Sequence, residues 1–125
     1  MAFSFLTEMM KFSESLKKNS DFQYVYRNGK SYANKYLVMY VLENNKEINR
    51  LGISASKKIG NSVVRHRFTR LVRESYRLHE NIFNSGLDIV VVARKSAAFV
   101  GYEEIESALL HLAKIHQILK IYFFV

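Results

Sequence analysis

The 125-residue chain has no cysteine and no proline, and only two of its acidic residues are aspartates, Asp21 and Asp88. Without cysteine there can be no disulfide, no thiolate zinc site and no thiol nucleophile, which suits a reducing compartment, so a cytoplasmic location is expected. The two aspartates have no glutamate paired closely with them, as a metal-dependent phosphodiesterase would need. Long apolar runs are missing too. Stretches such as Ile89 to Ala93 and Ile121 to Val125 fall far short of the roughly 20 residues that cross a bilayer. Met1 to Phe12 lacks a basic start and a small-residue cleavage site and is broken by Glu8, so it does not read as a signal peptide. Met9 and Met10 offer alternative starts. Residues 1–15 are therefore expected to be a mobile extension, 16–120 one domain, and 121–125 an apolar tail without an assigned role. There is no repeat and no low-complexity linker.

What is present is apolar mass and positive charge. At 49% hydrophobic residues the chain can bury one core. Its net charge of +8 and pI near 9.8 point to a polyanion, nucleic acid first and an anionic membrane surface second. The charge is also concentrated. Lys57, Lys58, Arg65, Arg67, Arg70, Arg73 and Arg77 face a single acid, Glu74, within 21 residues. That leaves the rest of the chain, with 12 basic and 10 acidic residues, close to neutral.

At about 100° per residue, Val64, Phe68, Leu71, Val72 and Leu78 share one side of a helix, while His66, Arg70, Arg73 and Arg77 share nearly the opposite side. A merely solvated helix would interleave acids with its bases. Arginine rather than lysine suits RNA, because a planar guanidinium forks onto phosphate oxygens or stacks on a base.

Around this helix the pattern predicts α-β-β-β-α-β-α. Ser20 and Gln23 resemble a capping box opening a helix over Asp21 to Asn28, with Phe22, Val25 and Tyr26 inward and Gly29 as its stop. Ser31 to Ala33 is a candidate short strand. Tyr36 to Leu42 alternates as a strand packed on both sides, with Tyr36 read as packing. Asn44 to Glu47 is expected to turn a hairpin into Ile48 to Ala55, where Gly52 permits a close approach. Leu87 to Ala93 reads as a central strand. Glu103 and Glu104 open a last helix with Ile105, Leu109, Leu112, Ile115 and Leu119 inward.

The segment Arg50-Leu-Gly-Ile-Ser-Ala-Ser-Lys-Lys-Ile-Gly-Asn-Ser-Val-Val-Arg-His-Arg-Phe-Thr-Arg-Leu-Val-Arg-Glu closely resembles the signature of the bacterial ribonuclease P protein subunit. Weaker echoes run from Leu16 to Tyr26 and from Asp88 to Lys95, so the likeness covers roughly Leu16 to Lys114. The resemblance implies an α+β domain like domain 2 of ribosomal protein S5, with a left-handed β-α-β crossover where the general rule is right-handed. It implies a protein without catalytic residues that serves as the required subunit of an RNA-based endoribonuclease. That enzyme removes the 5′ leader of precursor tRNA, with Mg²⁺ held mainly by the RNA.

Carried over by position, Lys57, Lys58, Asn61, Arg65, His66, Arg67, Arg70 and Arg73 would meet the catalytic RNA or the substrate junction. His66 stands where the family most often has Asn, and as an imidazole it keeps a donor and an acceptor with altered pH sensitivity. Phe22, Tyr26, Tyr40 and Ser54 match a cleft that holds the single-stranded leader. Spacing alone leaves Phe22 and Tyr26 equally readable as core. Aromatic faces stack on any base, which suits leaders of varied sequence.

Other classes fit less well. The four histidines form no acid and base set for an independent nuclease, since His66 lies in the arginine stripe and His79, His111 and His116 read as solvated helical positions. Helix-turn-helix DNA binding would need a short helix, not a strand, before the basic one. Gly60-Asn61 lacks the Gly-Lys-Ser/Thr ending of a nucleotide-binding loop. The expected partners are thus the catalytic RNA and precursor tRNA, with no DNA, no membrane and no metal or other cofactor bound by the protein itself. A general or ribosomal RNA-binding module is the remaining rival.

Overall fold

In the computed structural model, residues 12–120 are described. The expected start of the extension and the tail 121–125 lie outside them. The elements are β1 (Ser13–Ser15), α1 (Asn19–Asn28), β2 (Lys30–Ala33), β3 (Leu37–Glu43), β4 (Asn49–Ser54), α2 (Ser62–His79), β5 (Leu87–Ala93) and α3 (Tyr102–Ile115). The strands form one mixed sheet in the order β1-β4-β5-β3-β2. β4 runs parallel to both β1 and β5, while β3 is antiparallel to β5 and β2.

The Ile-Val run of β5 explains this order. Ile89, Val90 and Val91 are fully buried, so the strand needs cover on both faces and a neighbour on each edge. Alternation sends Leu37, Met39, Leu51, Ile89 and Val91 to one side, where they join Phe68, Val72 and Tyr76 of α2 and Ile105, Leu109 and Leu112 of α3. Val90 points to the other side, joining Leu16, Val25 and the half-buried Phe22, Tyr26 and Tyr40 beneath α1. The sheet therefore separates a large two-helix core from a small one-helix core. Both belong to a single mixed α+β domain with three helices.

The expected element order holds behind one addition and one correction. The addition is β1, whose Ser-Glu-Ser sequence carries no apolar alternation and lies in the stretch assigned to the extension. It is held by its parallel register on β4, by Leu16 N–H donating to Leu51 O at 2.8 Å, and by Ser13 Oγ, 2.8 Å from Tyr76 Oη. The correction is the β3–β4 hairpin, which does not form because β5 lies between those strands. The link instead steps across β5. Asn44 Nδ2 donates to Ile48 O at 3.1 Å and to Asp88 Oδ1 at 2.9 Å, and Asn44 N–H donates to Gly86 O at 2.9 Å. The actual hairpin joins β2 and β3.

Helix boundaries also shift. α1 begins at Asn19 behind Lys18 with no side-chain cap, so the Ser20–Gln23 box is not used. Gly29 does end α1, through crowding: a Cβ there would lie 2.7 Å from Val25 O and 3.0 Å from Val41 O. In α3, Ile115 is exposed while Ala108 and Ala113 are buried. Leu119 is buried past the helix end, bridged to Phe83. No helix among the described residues is long and apolar enough to cross a membrane.

Candidate nucleic-acid interface

The basic segment begins with a single 3₁₀ turn, Lys57–Ile59, after β4. Ser56 Oγ accepts from Lys58 N–H at 3.3 Å and Ile59 plugs the core, which leaves Lys57 and Lys58 exposed. Gly60 follows at φ 154°, where a Cβ would lie 2.8 Å from Val64, so only glycine lets the chain turn this tightly. Asn61 then caps α2, its Oδ1 accepting from Val64 N–H at 3.1 Å. That oxygen is committed, and the amide nitrogen of Asn61 is the end left to donate.

Along α2, Phe68, Val72, Ser75 and Tyr76 are buried. Leu78 is 52% exposed, contrary to the expected stripe. The packed side is rotated toward Tyr76, whose hydroxyl meets Ser13 Oγ and accepts from Asn49 Nδ2 at 3.2 Å. Burial raises the pKa of that phenol, partly offset by the bonds from Ser13 and Asn49. This satisfied hydroxyl is why a tyrosine can occupy a fully buried position.

On the opposite side His66, Arg70 and Arg73 are exposed, and neither arginine has an acidic partner among the described residues. Glu74 is engaged by Arg77, at 2.5 Å and 3.2 Å. The lone acid of the stripe thus leaves Arg70 and Arg73 uncompensated. Arg65 is half-buried at the edge of the packed side, with its Nε buried. Arg67 is exposed but tethered, donating to Val100 O at 2.8 Å.

The four expected cleft residues meet on the other face of the sheet. Strand register places Gly52, Val90 and Tyr40 in one row and Ser54, Val92 and Val38 in the next. α1 lies over the first row. Phe22 sits against Gly52, where a Cβ would come within 2.8 Å of its ring. Tyr26 packs edge-on to Tyr40 at 4.9 Å between centroids and 6.3 Å from Phe22. All four residues remain part-exposed, so the aromatics are at once packing and surface. Ser54 ends β4 two residues before the basic turn, which joins this shallow trough to Lys57 and Lys58. Two depressions of about 470 and 490 Å³ include none of these four residues. The trough suits an extended strand, not an enclosed small molecule.

Both aspartates are engaged with one arginine. Arg50 Nε and Nη2 donate to the two oxygens of buried Asp88 at 2.8 and 2.6 Å, and Asp21 lies 3.5 Å from Arg50 Nη1. Burial pushes the Asp88 pKa up, but the bonds from Arg50 and Asn44 outweigh it and hold the carboxyl below its usual range. The Arg50–Asp88 pair ties β4 to β5, and Asp21 brings α1 to the same guanidinium.

The histidines are dispersed, as expected, but three are not merely solvated. His79 lies 2.8 Å from Glu106, His111 lies 3.2 Å from Asn34, and His116 bonds Met39 O at 2.9 Å. Among the described residues no three His, Asp or Glu side chains are grouped to hold a metal ion.

The basic surface extends further than the sequence suggested. The turn Lys95–Ala97 packs on the turn Lys57–Ile59, and Arg94 donates to Asn34 O at 2.9 Å. Exposed Lys35, Arg94 and Lys95 thereby gather beside the basic turn. Charge counted along the chain treats them as scattered, and only β-sheet pairing assembles them.

With this geometry in hand, comparison with known proteins is specific. The family model described as Ribonuclease P matches residues 10–117. A ribonuclease P protein component of Lachnoclostridium phytofermentans is 66% identical over 107 residues, covering 86% of this chain and 92% of that protein. One from Alkaliphilus metalliredigens is 52% identical over 105 residues, covering 84% and 95%. Among solved structures, the RNase P protein of Staphylococcus aureus superposes with a TM-score of 0.79 at 38% identity, covering 85% of this chain and 97% of that one. That of Thermotoga maritima gives 0.75 at 33%, covering 82% and 96%.

Proposed function

The chain belongs to the ribonuclease P protein family, and from that membership in tRNA 5′ processing we propose that it works through two surfaces, α2 docking the catalytic RNA and the α1 trough holding the 5′ leader of precursor tRNA. The observation that carries this reading is the exposure of Arg70 and Arg73, without acidic partners among the described residues, on a helix whose opposite side is locked in the core. Such cations fork onto phosphates and release counterions, giving affinity that falls with salt. Arg65, His66 and Arg67 add donors in the first turns of the helix, and Asn61 adds its amide.

Lys57 and Lys58, between the two surfaces, would neutralise the backbone where leader and catalytic RNA converge. In the trough, Phe22, Tyr26 and Tyr40 would offer ring faces to bases, with Ser54 donating to the backbone. Mg²⁺ held by the RNA would supply the hydrolytic chemistry. The protein would hold the substrate in register and perform no bond cleavage itself.

The test adds the protein to a bacterial ribonuclease P RNA and a precursor tRNA at low Mg²⁺. Faster release of the 5′ leader is expected. RNA binding with no gain in processing would replace this reading with a general RNA-binding module.

A further inference from the structure

The most exposed large apolar side chain among the described residues is Phe99, at 83%. It lies between β5 and α3, in a loop fixed at several points. Ala97 and Ala98 are buried beneath it, Ser96 Oγ donates to Lys35 O, and Arg94 donates to Asn34 O. Val100, the next residue, accepts the Arg67 guanidinium bond at 2.8 Å. The ring is therefore presented on a rigid loop, tied directly to the arginine helix. On the side of the turn Lys95–Ala97, which rests on the turn holding Lys57 and Lys58, the neighbouring charge is positive, while Glu103 and Glu104 open α3 just after the loop.

We propose that Phe99 is a stacking platform for an unpaired base of the catalytic RNA, extending the α2 surface across the β5–α3 loop. The inference rests on the reading that the arginine side of α2 docks that RNA. An exposed ring among cations suits a strand whose phosphates are neutralised while its bases turn outward. Its link to Arg67 places it with the α2 surface, on the sheet face opposite the α1 trough, so the base belongs to the catalytic RNA and not to the leader. Exposure makes the site safe to alter, because removing the ring opens no cavity.

The chain contains no tryptophan, so Phe99→Trp supplies a single indole at the site. Its fluorescence is expected to be quenched when the catalytic RNA is added. Phe99→Ala should weaken that binding about fivefold to a hundredfold, the span of base–aromatic stacking, with an unchanged salt slope because no phosphate contact is lost. Phe99→Tyr should bind like the unaltered protein. Wild-type affinity in Phe99→Ala together with an unquenched indole, while the unaltered protein binds the catalytic RNA, would overturn the inference alone. Quenching by the precursor tRNA leader but not by the catalytic RNA would overturn it too. Failure of the unaltered protein to bind the catalytic RNA would instead remove the reading on which it stands.

Discussion

The two helices that carry the candidate surfaces are built on opposite plans. α2 is 18 residues long and divides its labour by side: Phe68, Val72 and Tyr76 anchor it, while Arg70 and Arg73 are exposed, with no acidic partner among the described residues. α1 is 10 residues long, with Val25 as its only fully buried side chain, and its Phe22 and Tyr26 both pack and face outward. On α2, folding and binding are therefore separable by mutation. On α1 they share the same atoms.

The largest expected effect tests the anchor of α2. Phe68→Ala removes a ring that is 1% exposed and should cost about 3 to 5 kcal/mol in urea unfolding. A loss below about 1 kcal/mol would mean that the helix is held by something other than its buried stripe. The next tests the ion pair between β4 and β5 beneath α1. Asp88→Asn leaves the Arg50 fork facing a neutral amide and should cost about 2 to 3 kcal/mol.

Because the folded-state pKa of Asp88 lies below its unfolded value, its contribution is complete above the ordinary carboxylate range and disappears as pH falls through and below about 4. Urea midpoints between pH 7 and pH 3 should accordingly fall more for the unaltered protein than for Asp88→Asn. Parallel profiles would show that the ion pair does not govern acid stability.

Tyr26→Ala should show the sharing of roles on α1. Leader affinity should drop by about 1 to 3 kcal/mol, and unfolding stability should fall as well, since the ring packs on Tyr40. An intact leader affinity in a destabilised protein would reduce Tyr26 to core.

How much of this was legible beforehand follows from where the information resides. The period of 3.6 and the arginine spacing put a helix within Lys57 to Arg77 and turned His66, Arg70 and Arg73 outward, because both are local properties; the helix spans Ser62–His79, and Arg77, expected outward too, is half-buried against Glu74. Its packed side was misjudged at Leu78, since hydrophobicity ranks leucine above a tyrosine whose hydroxyl happens to find Ser13 and Asn49. Strand order was not local at all. Asn44 to Glu47 carries the same turn signal whether β4 pairs with β3 or steps over β5, and β1 has no pattern because its hold on β4 is backbone to backbone. Phe99, Arg94 and Lys95 escaped notice for a related reason: their proximity to the basic turn arises only when β4 and β5 lie side by side.

The smallest expected effect is the most discriminating between the two plans. Arg70→Ala deletes an exposed cation with no acidic partner among the described residues, so urea stability should stay within about 0.5 kcal/mol of the unaltered protein. Binding to the catalytic RNA should weaken only a few-fold near physiological salt, roughly one phosphate contact. The log–log salt slope should become shallower by about one unit. Leader affinity measured on the tRNA substrate should barely move, since Arg70 lies on the face away from the trough. An unchanged slope would remove Arg70 from the RNA interface, and a loss of stability would mean that the separation of anchor and contact on α2 is not real.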